Sequence, residues 1–214
     1  LGMGGPAMIE GGGLGKFHPK EIGQSEVLYK NGVIDILVKD EAEAVATAKK
    51  YLSYFQGAVK DWTCTDQELL RTLIPENRKF AYNIFKVIYA LCDEDSVLEL
   101  RGGFAKNMVT ALVRIEGKPM GLIANSTRHL GGASDSDAAD KVARFMQLCD
   151  AFGLPILSLC DAPGFMVGPD CEKTGMVRHA SRIFLTGANL SVPILTIVLR
   201  KAYGLVAMAM AGES

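Results

Sequence analysis

The sequence predicts an α/β layered fold, and three observations carry that prediction. From about Ser96 onward, short apolar runs rich in β-branched residues alternate with stretches of helical periodicity. Several of those runs lead into turns rich in Gly, Asn, Asp or Pro, with helix following, which is the grammar of layered α/β units. A hydrophobic fraction of 49% over 214 residues is enough to fill the core of one large domain or two small ones.

The chain divides into three parts. Residues 1–58 open with a glycine-rich loop and pass through a strand-like stretch, Val33-Ile-Asp-Ile-Leu-Val38. They end in a helix announced by Asp40 as N-cap and Glu43 three residues on, with Ala44, Ala48, Tyr51, Leu52 and Phe55 as its apolar positions. Residues 59–95 are more polar. Trp62-Thr-Cys-Thr-Asp66 and Leu73-Ile-Pro-Glu-Asn77 are turn signals around short helical stretches, so this part reads as a connector.

In residues 96–214 the expected strands are Val97–Leu100, Val109–Ile115, Met120–Ala124, Ile156–Cys160 and Ile194–Leu199. Helices are expected at Asp135–Phe152 and Glu172–Gly187, with another beginning at Leu205. On the first of these, Ala138, Val142, Phe145, Met146 and Cys149 form one inward stripe, leaving Asp140, Lys141, Arg144 and Gln147 for the remaining surface. Both ends look cut. Leu1 opens inside an apolar, glycine-rich motif, and Ala207-Met-Ala-Met-Ala-Gly-Glu-Ser214 stops inside a helix-forming run, which is expected of a piece of a longer chain.

Composition excludes several functions. With 23 basic and 24 acidic residues mixed along the chain, no basic face is available for nucleic acid or an anionic membrane. No apolar run approaches the roughly 20 residues of a membrane helix, so a soluble protein is expected. Five cysteines at irregular spacing, without a C-x-x-C pair, read as reduced and mostly buried thiols of an interior compartment, with no metal site in this chain.

Chemistry concentrates at three turns. Met120–Ala124 leads to Asn125-Ser-Thr-Arg-His-Leu-Gly-Gly-Ala133, Ile156–Cys160 to Asp161-Ala-Pro-Gly-Phe165, and Ile194–Leu199 to Arg200-Lys-Ala-Tyr-Gly204. Glycine lets backbone approach a ligand, and a helix start aims free N–H groups at it. Such turns collect at the carboxyl ends of strands, where α/β folds bind ligands. One such turn is usually only a tight turn; three together point to an anion or oxyanion site. Side chains offer less. His18, His129 and His179 lie in no nucleophile motif and are expected at the surface or in hydrogen bonds, while Asp135, Asp137 and Asp140 read as helix-start capping groups. Gly11-Gly-Gly13 with Gly15 is too weak for a nucleotide site, and no Walker A or G-x-G-x-x-G sequence is present.

A family likeness adds to this reading. Gly4-Gly-Pro-Ala-Met8, Glu21-Ile-Gly23, Asn31-Gly-Val-Ile-Asp35 and Tyr51-Leu-Ser-Tyr54 resemble the end of the N-terminal half of acyl-CoA carboxylase carboxyltransferase (beta) subunits of the propionyl-CoA and acetyl-CoA type. Leu69-Leu-Arg-Thr-Leu-Ile-Pro-Glu-Asn-Arg78, Met108–Ile115, Ala143–Phe152, Asp161–Phe165 and Leu199–Gly204 resemble the connector and C-terminal half. The resemblance runs in order along nearly the whole chain.

It implies a crotonase-like α/β fold in which residues 1–58 are the tail of one half, 59–95 a helical connector, and 96–214 the start of the second half. It also implies a reaction, transfer of a carboxyl group from carboxybiotin on a carrier domain to the α-carbon of an acyl-CoA. In that family CO2 is released beside the acyl-CoA, the biotin ureido anion can take the α-proton, and the thioester enolate attacks CO2. Two oxygens gain negative charge, so two oxyanion holes are needed. By resemblance, the hole for the biotin ureido oxygen comes from backbone N–H groups of Gly164 and Phe165 with Gly204, Leu205 and Val206, while the loop of the other hole lies upstream of Leu1. The implied partners are a biotin carboxyl carrier, a biotin carboxylase and further copies of the chain in a hexamer, a trimer of dimers. The implied setting is bacterial cytoplasm or the mitochondrial matrix.

The chain departs from the family pattern at Leu205-Val206, where many relatives have Gly-Ala, and at Ser126, where many have Pro. Alternatives are the related subunit of biotin-dependent acyl-CoA decarboxylases, a crotonase-type hydratase or isomerase, and a non-catalytic assembly module. The hydratase would need a carboxylate pair over the acyl group, and these turns carry Asp161 without a Glu.

Overall fold

The computed structural model describes residues 2–212. Leu1, Glu213 and Ser214 lie outside them. The chain runs α1 (Pro6–Gly11), α2 (Ser25–Lys30), α3 (Glu41–Ser53), α4 (Leu70–Leu73), α5 (Ile84–Leu91), β1 (Leu98–Leu100), β2 (Met108–Ile115), β3 (Lys118–Asn125), α6 (Ser136–Ala151), β4 (Ile156–Ala162), α7 (Pro169–Lys173), α8 (Met176–Ala188), β5 (Ile194–Ala202) and α9 (Gly204–Ala211), with short 3-10 turns at Pro19–Glu21, Gln67–Leu69 and Leu130–Gly132.

The five strands form one mixed sheet in the order β1-β2-β3-β4-β5. β1, β2 and β3 are antiparallel, whereas β3, β4 and β5 are parallel. The antiparallel pair turns on two residues, Glu116 (φ 50°) and Gly117 (φ 73°), because Ile115 pairs with Lys118. Two positive φ values in a two-residue hairpin match the right-handed strand twist. The carboxylate of Asp93 holds this turn, its two oxygens accepting from the N–H groups of Glu116 (2.9 Å) and Gly117 (2.7 Å).

Period-two alternation builds a core on each face. Met108, Leu112 and Ile123 face α6, where Val142, Phe145, Met146 and Cys149 meet them together with Ile183 of α8 and Val206 and Met210 of α9. Val109, Ala111, Val113, Leu122, Leu157 and Leu159 face α5, packed by Ile84, Val87 and Ile88. With helices on both faces, all seven residues of β4 are buried, and all but Ser158 and Asp161 are apolar. β5 is an edge strand among the described residues, with Leu195, Ile197 and Val198 about half exposed.

The first part of the chain is built differently. Of the described residues before Tyr54, none is buried. The N-cap of α3 is as expected, Asp40 accepting from the N–H of Glu43 (2.8 Å), but Glu43 reaches back to the N–H of Lys39 and Leu52 points outward. The C-terminal end of α3 is fastened by Arg114 on β2, which donates to the carbonyls of Ser53 (2.8 Å) and Gly57 (3.0 Å) while its guanidinium lies 5.3 Å from the ring centre of Tyr54. The Tyr54 hydroxyl donates to the Ser96 carbonyl.

Four sequence expectations need correction here. Val33–Val38 is not a strand, because no strand among the described residues offers it a ladder; its Asp35 carbonyl accepts from Arg101 N–H (2.7 Å) instead. The opening glycine-rich stretch holds the short helix α1 rather than a plain loop, and α2 follows it. The helix expected over Glu172–Gly187 breaks into α7 and α8 because Gly175 sits at φ 72° between them. Lys141, assigned to the outer surface of α6, is 1% exposed, its ammonium donating to the carbonyls of Phe104 (2.8 Å) and Met108 (2.7 Å). Its stem follows the stripe and its nitrogen finds carbonyls beyond the core.

Candidate active site

Because β3, β4 and β5 are parallel, their carboxyl ends meet at one edge of the sheet, and the three turns meet with them. Asn125 at the end of β3 ties the first two together, its amide donating to the Gly132 carbonyl (3.2 Å) and its oxygen accepting from Asp161 N–H (3.1 Å). Gly132 (φ 88°) allows the approach, since a Cβ there would run into the Asp161 carbonyl oxygen. Ser126 donates its N–H to the Asn107 carbonyl (2.9 Å), a bond that proline could not make.

The second and third turns lie side by side. Ala162 pairs with Ala202, and the N–H of Tyr203 donates to the Ala162 carbonyl (3.3 Å). On its other flank the second turn bridges to Ser134, whose N–H donates to the Gly164 carbonyl (3.2 Å) and whose carbonyl accepts from Met166 N–H (2.8 Å). In a trans peptide the carbonyl and the following N–H point in opposite directions, so the Phe165 N–H is turned away from Ser134. At the third turn, Gly204 opens α9, whose first N–H groups have no acceptor within the helix. Among the described residues, no protein acceptor takes the N–H of Gly164, Phe165, Gly204, Leu205 or Val206.

Space is available beside both glycines. Gly164 (φ 146°) and Gly204 (φ 62°) adopt conformations closed to most side chains, and nothing lies within 4 Å of where a Cβ would stand. The two residues after Gly204 divide between core and solvent: Val206 is fully buried, whereas Leu205 is 62% exposed. Phe165 leans on Phe184 of α8, ring centres 6.4 Å apart. The unpaired N–H groups of Gly164, Phe165, Gly204 and Leu205 stand at accessible residues of two adjacent turns, suited to an anionic or strongly polarised oxygen, while that of Val206 belongs to a fully buried residue.

Beneath the turns lies a side-chain network that local sequence signals do not show. Asp161 is fully buried, and its Oδ2 accepts from Tyr82 Oη (2.9 Å) and Arg200 Nε (2.9 Å) while Oδ1 accepts from Lys201 N–H (3.2 Å). The Arg200 guanidinium stacks 4.6 Å over the Tyr82 ring and donates to the carbonyls of Asn77 (3.2 Å) and Phe80 (2.9 Å). Burial, and then the neighbouring Asp161 charge, push the Tyr82 hydroxyl well above the usual phenol range. Tyr82 and Asp161 are 79 residues apart, so only the fold could bring them together.

Other candidates are otherwise engaged. His179 shares Asp140 with Arg182 (2.8 and 2.7 Å), which makes Asp140 an ion-pair partner between α6 and α8 rather than a cap. Asp135 is the N-cap, accepting from Ala138 N–H (2.9 Å). His18 accepts from Lys20 N–H at the start of a 3-10 turn, and His129 is exposed. Cys92, Cys149 and Cys160 are buried, whereas Cys64 is exposed and Cys171 half-buried; burial pushes the Cys92 and Cys149 thiols up to about 12. Among the described residues no group of His, Cys, Asp or Glu is placed to hold a metal ion, and no helix is long and apolar enough to cross a membrane. A cleft of about 560 Å³ opens elsewhere, between residues 35–51 and α6, lined by Ile36, Tyr51, Arg101, Lys141 and Arg144 among others.

Comparison with known proteins gives this geometry a family. Residues 13–214 match the carboxyl transferase domain. A single-chain, multi-domain long-chain acyl-CoA carboxylase contains a region 56% identical to this chain, superposing with a TM-score of 0.96 over 100% of the chain and 22% of that larger protein. The transcarboxylase 12S structure, a hexamer with methylmalonyl-coenzyme A bound, is 32% identical with a TM-score of 0.85, covering 96% of this chain and 41% of that one. The methylmalonyl-CoA decarboxylase subunit alpha of Propionigenium modestum is 39% identical over 193 residues, 86% of this chain and 37% of that protein. The chain therefore spans well under half the length of these relatives. The mixed sheet with its three convergent turns is the crotonase-like architecture of these carboxyltransferases, and the chain belongs to the carboxyl transferase domain family.

Proposed function

We propose that this chain is part of a carboxyltransferase that moves a carboxyl group between carboxybiotin and the α-carbon of an acyl-CoA. The single observation that carries the reading is the pair of adjacent turns whose N–H groups at Gly164, Phe165, Gly204, Leu205 and Val206 have no protein acceptor among the described residues. A ureido oxygen is an acceptor with developing negative charge, and open donors beside two glycines fit it. Carboxybiotin, delivered on a carrier domain, supplies the CO2 and the ureido base. The residues of this chain hold the ureido oxygen and stabilise its charge, and no side-chain base is required of them. Donors in fixed backbone need no reorganisation as charge develops, and removing one such donor typically costs about 2.7–4 kcal/mol of transition-state stabilisation.

The long-chain acyl-CoA carboxylase likeness, at 56% identity, supports a long-chain acyl-CoA as substrate, and the 12S likeness supports a hexamer of copies. The proposed partners are a biotin carboxyl carrier domain and a biotin carboxylase, in a cytoplasmic or matrix setting. The proposed organisation assigns residues 1–58 to the end of one carboxyltransferase half, 59–95 to a connector, and 96–214 to the start of the other.

The test is carboxyl exchange by the full-length assembled protein from malonyl-, methylmalonyl- or longer 2-carboxyacyl-CoA donors to free biotin or biocytin. Exchange is expected, fastest with the longer donors; no exchange with any donor contradicts the reading. A second direction, decarboxylation, is favoured by the decarboxylase likeness at 39% identity. The same donor turns serve both directions, and the partner subunits that co-purify with the full-length chain distinguish them.

A further inference from the structure

The ladder between β4 and β5 slips where the two donor turns begin. Cys160 pairs with Val198, but Ala162 pairs with Ala202, so β5 carries two extra residues opposite Asp161. Bulges of this kind re-aim backbone beside sites, and the extra residues need other partners for their polar groups. Here Asp161 supplies them. Its Oδ1 takes the Lys201 N–H (3.2 Å) and its Oδ2 takes Arg200 Nε (2.9 Å), both on the bulged stretch. Tyr82 Oη (2.9 Å) also donates to the carboxylate, the Lys201 ammonium lies 4.0 Å from its Oδ1, and the Tyr82 ring supports the guanidinium from below. Arg200 in turn holds residues 77–80 through two carbonyls.

We infer that Asp161, acting with Arg200 and Tyr82, is the positioning residue that holds the β5 bulge and so fixes the offset between the Gly164–Phe165 and Gly204–Val206 turns. This rests on the proposed reading of those turns as one donor set. None of the three side chains need touch substrate; they set where backbone donors stand. A slip of one residue in β5 would move Gly204 away from Gly164 and reverse its side-chain alternation. Arginine suits the position because its planar fork reaches the carboxylate and the two carbonyls together, which a lysine cannot.

The experiment uses the full-length assembled protein and compares wild type with Tyr82→Phe, Arg200→Lys and Asp161→Asn, with Arg182→Gln on the exposed Asp140 pair as control. For Asp161→Asn and Arg200→Lys, kcat for biotin carboxyl exchange is expected to fall by about 10- to 1,000-fold, up to the range for loss of an oxyanion donor. The KM for acyl-CoA should stay within about twofold, since only transition-state contacts are lost. Tyr82→Phe keeps the ring and removes one hydroxyl, so it should fold and lower kcat less. If the variants alter only melting temperature or assembly, with kcat per assembled site equal to wild type, the inference is wrong. Wild type without exchange would overturn the functional reading itself, a different outcome from active wild type with equally active variants.

Discussion

Two regions of this molecule look able to bind a ligand, and they are opposites. The cleft between residues 35–51 and α6 has volume, about 560 Å³, and the charged side chains of Arg101, Lys141 and Arg144. Yet the Lys141 ammonium is held by main-chain carbonyls and Arg101 by Asp35 (2.9 Å). At the turn cluster at the ends of β4 and β5, by contrast, the N–H groups of Gly164, Phe165, Gly204, Leu205 and Val206 have no protein acceptor among the described residues. A site is marked by what remains unpaired rather than by empty volume. Oxyanion stabilisation by backbone amides needs no titratable side chain at the reacting oxygen.

Substitutions in each region should separate the two. The largest effect is expected from Gly204→Pro: proline cannot adopt φ 62° and lacks the N–H, so exchange by the full-length protein should fall at least about 100-fold. Circular dichroism and kcat measured together check that folding persists while transfer is lost.

In the cleft, Lys141→Met should do the reverse. It leaves the Phe104 and Met108 carbonyls without a donor and should cost about 1–3 kcal/mol in a denaturant titration, with exchange kcat unchanged. Burial pushes the Lys141 ammonium down to about 8 from the free value of 10.5. Between those pH values the unfolded chain holds the proton and the folded one releases it, so this group's contribution to stability rises with pH across that window. The stability difference between wild type and Lys141→Met should therefore widen from pH 8 to 10.5 and stay flat below it.

Smaller effects sharpen the reading of Leu205-Val206. Val206→Ala, in the core, should cost roughly 1.5 kcal/mol in melting or denaturant experiments. Leu205→Ala, at the exposed position, should change stability by less than about 0.5 kcal/mol and leave kcat near wild type, because the donor is the N–H. A large loss of exchange in Leu205→Ala would mean that the side chain, not the amide, does the binding.

Much of the fold could be read in the residues because its signals are local. The five strands announced themselves as apolar runs, and Asp40 and Asp135 capped the helices expected of them. The three turns were visible as Gly, Asn and Asp clusters after strands. Val33–Val38 has a strand's composition but no partner, and composition cannot report a partner. Gly175 was a visible warning of the break between α7 and α8. Lys141 defied its polar type because a flexible stem let its nitrogen reach carbonyls 33 and 37 residues away. The bulge opposite Asp161 exists only as a mismatch between two strands, and Tyr82 reaches it from 79 residues earlier in the chain, so neither has a local signature.

The most direct measurement is a structure of the full-length assembled protein with biotin or biocytin bound. The account predicts the ureido oxygen about 2.7–3.1 Å from backbone nitrogens of the Gly164–Phe165 and Gly204–Val206 turns. A ureido oxygen held by side chains of the cleft around Lys141 and Arg144, with those turn amides facing only water, would contradict it.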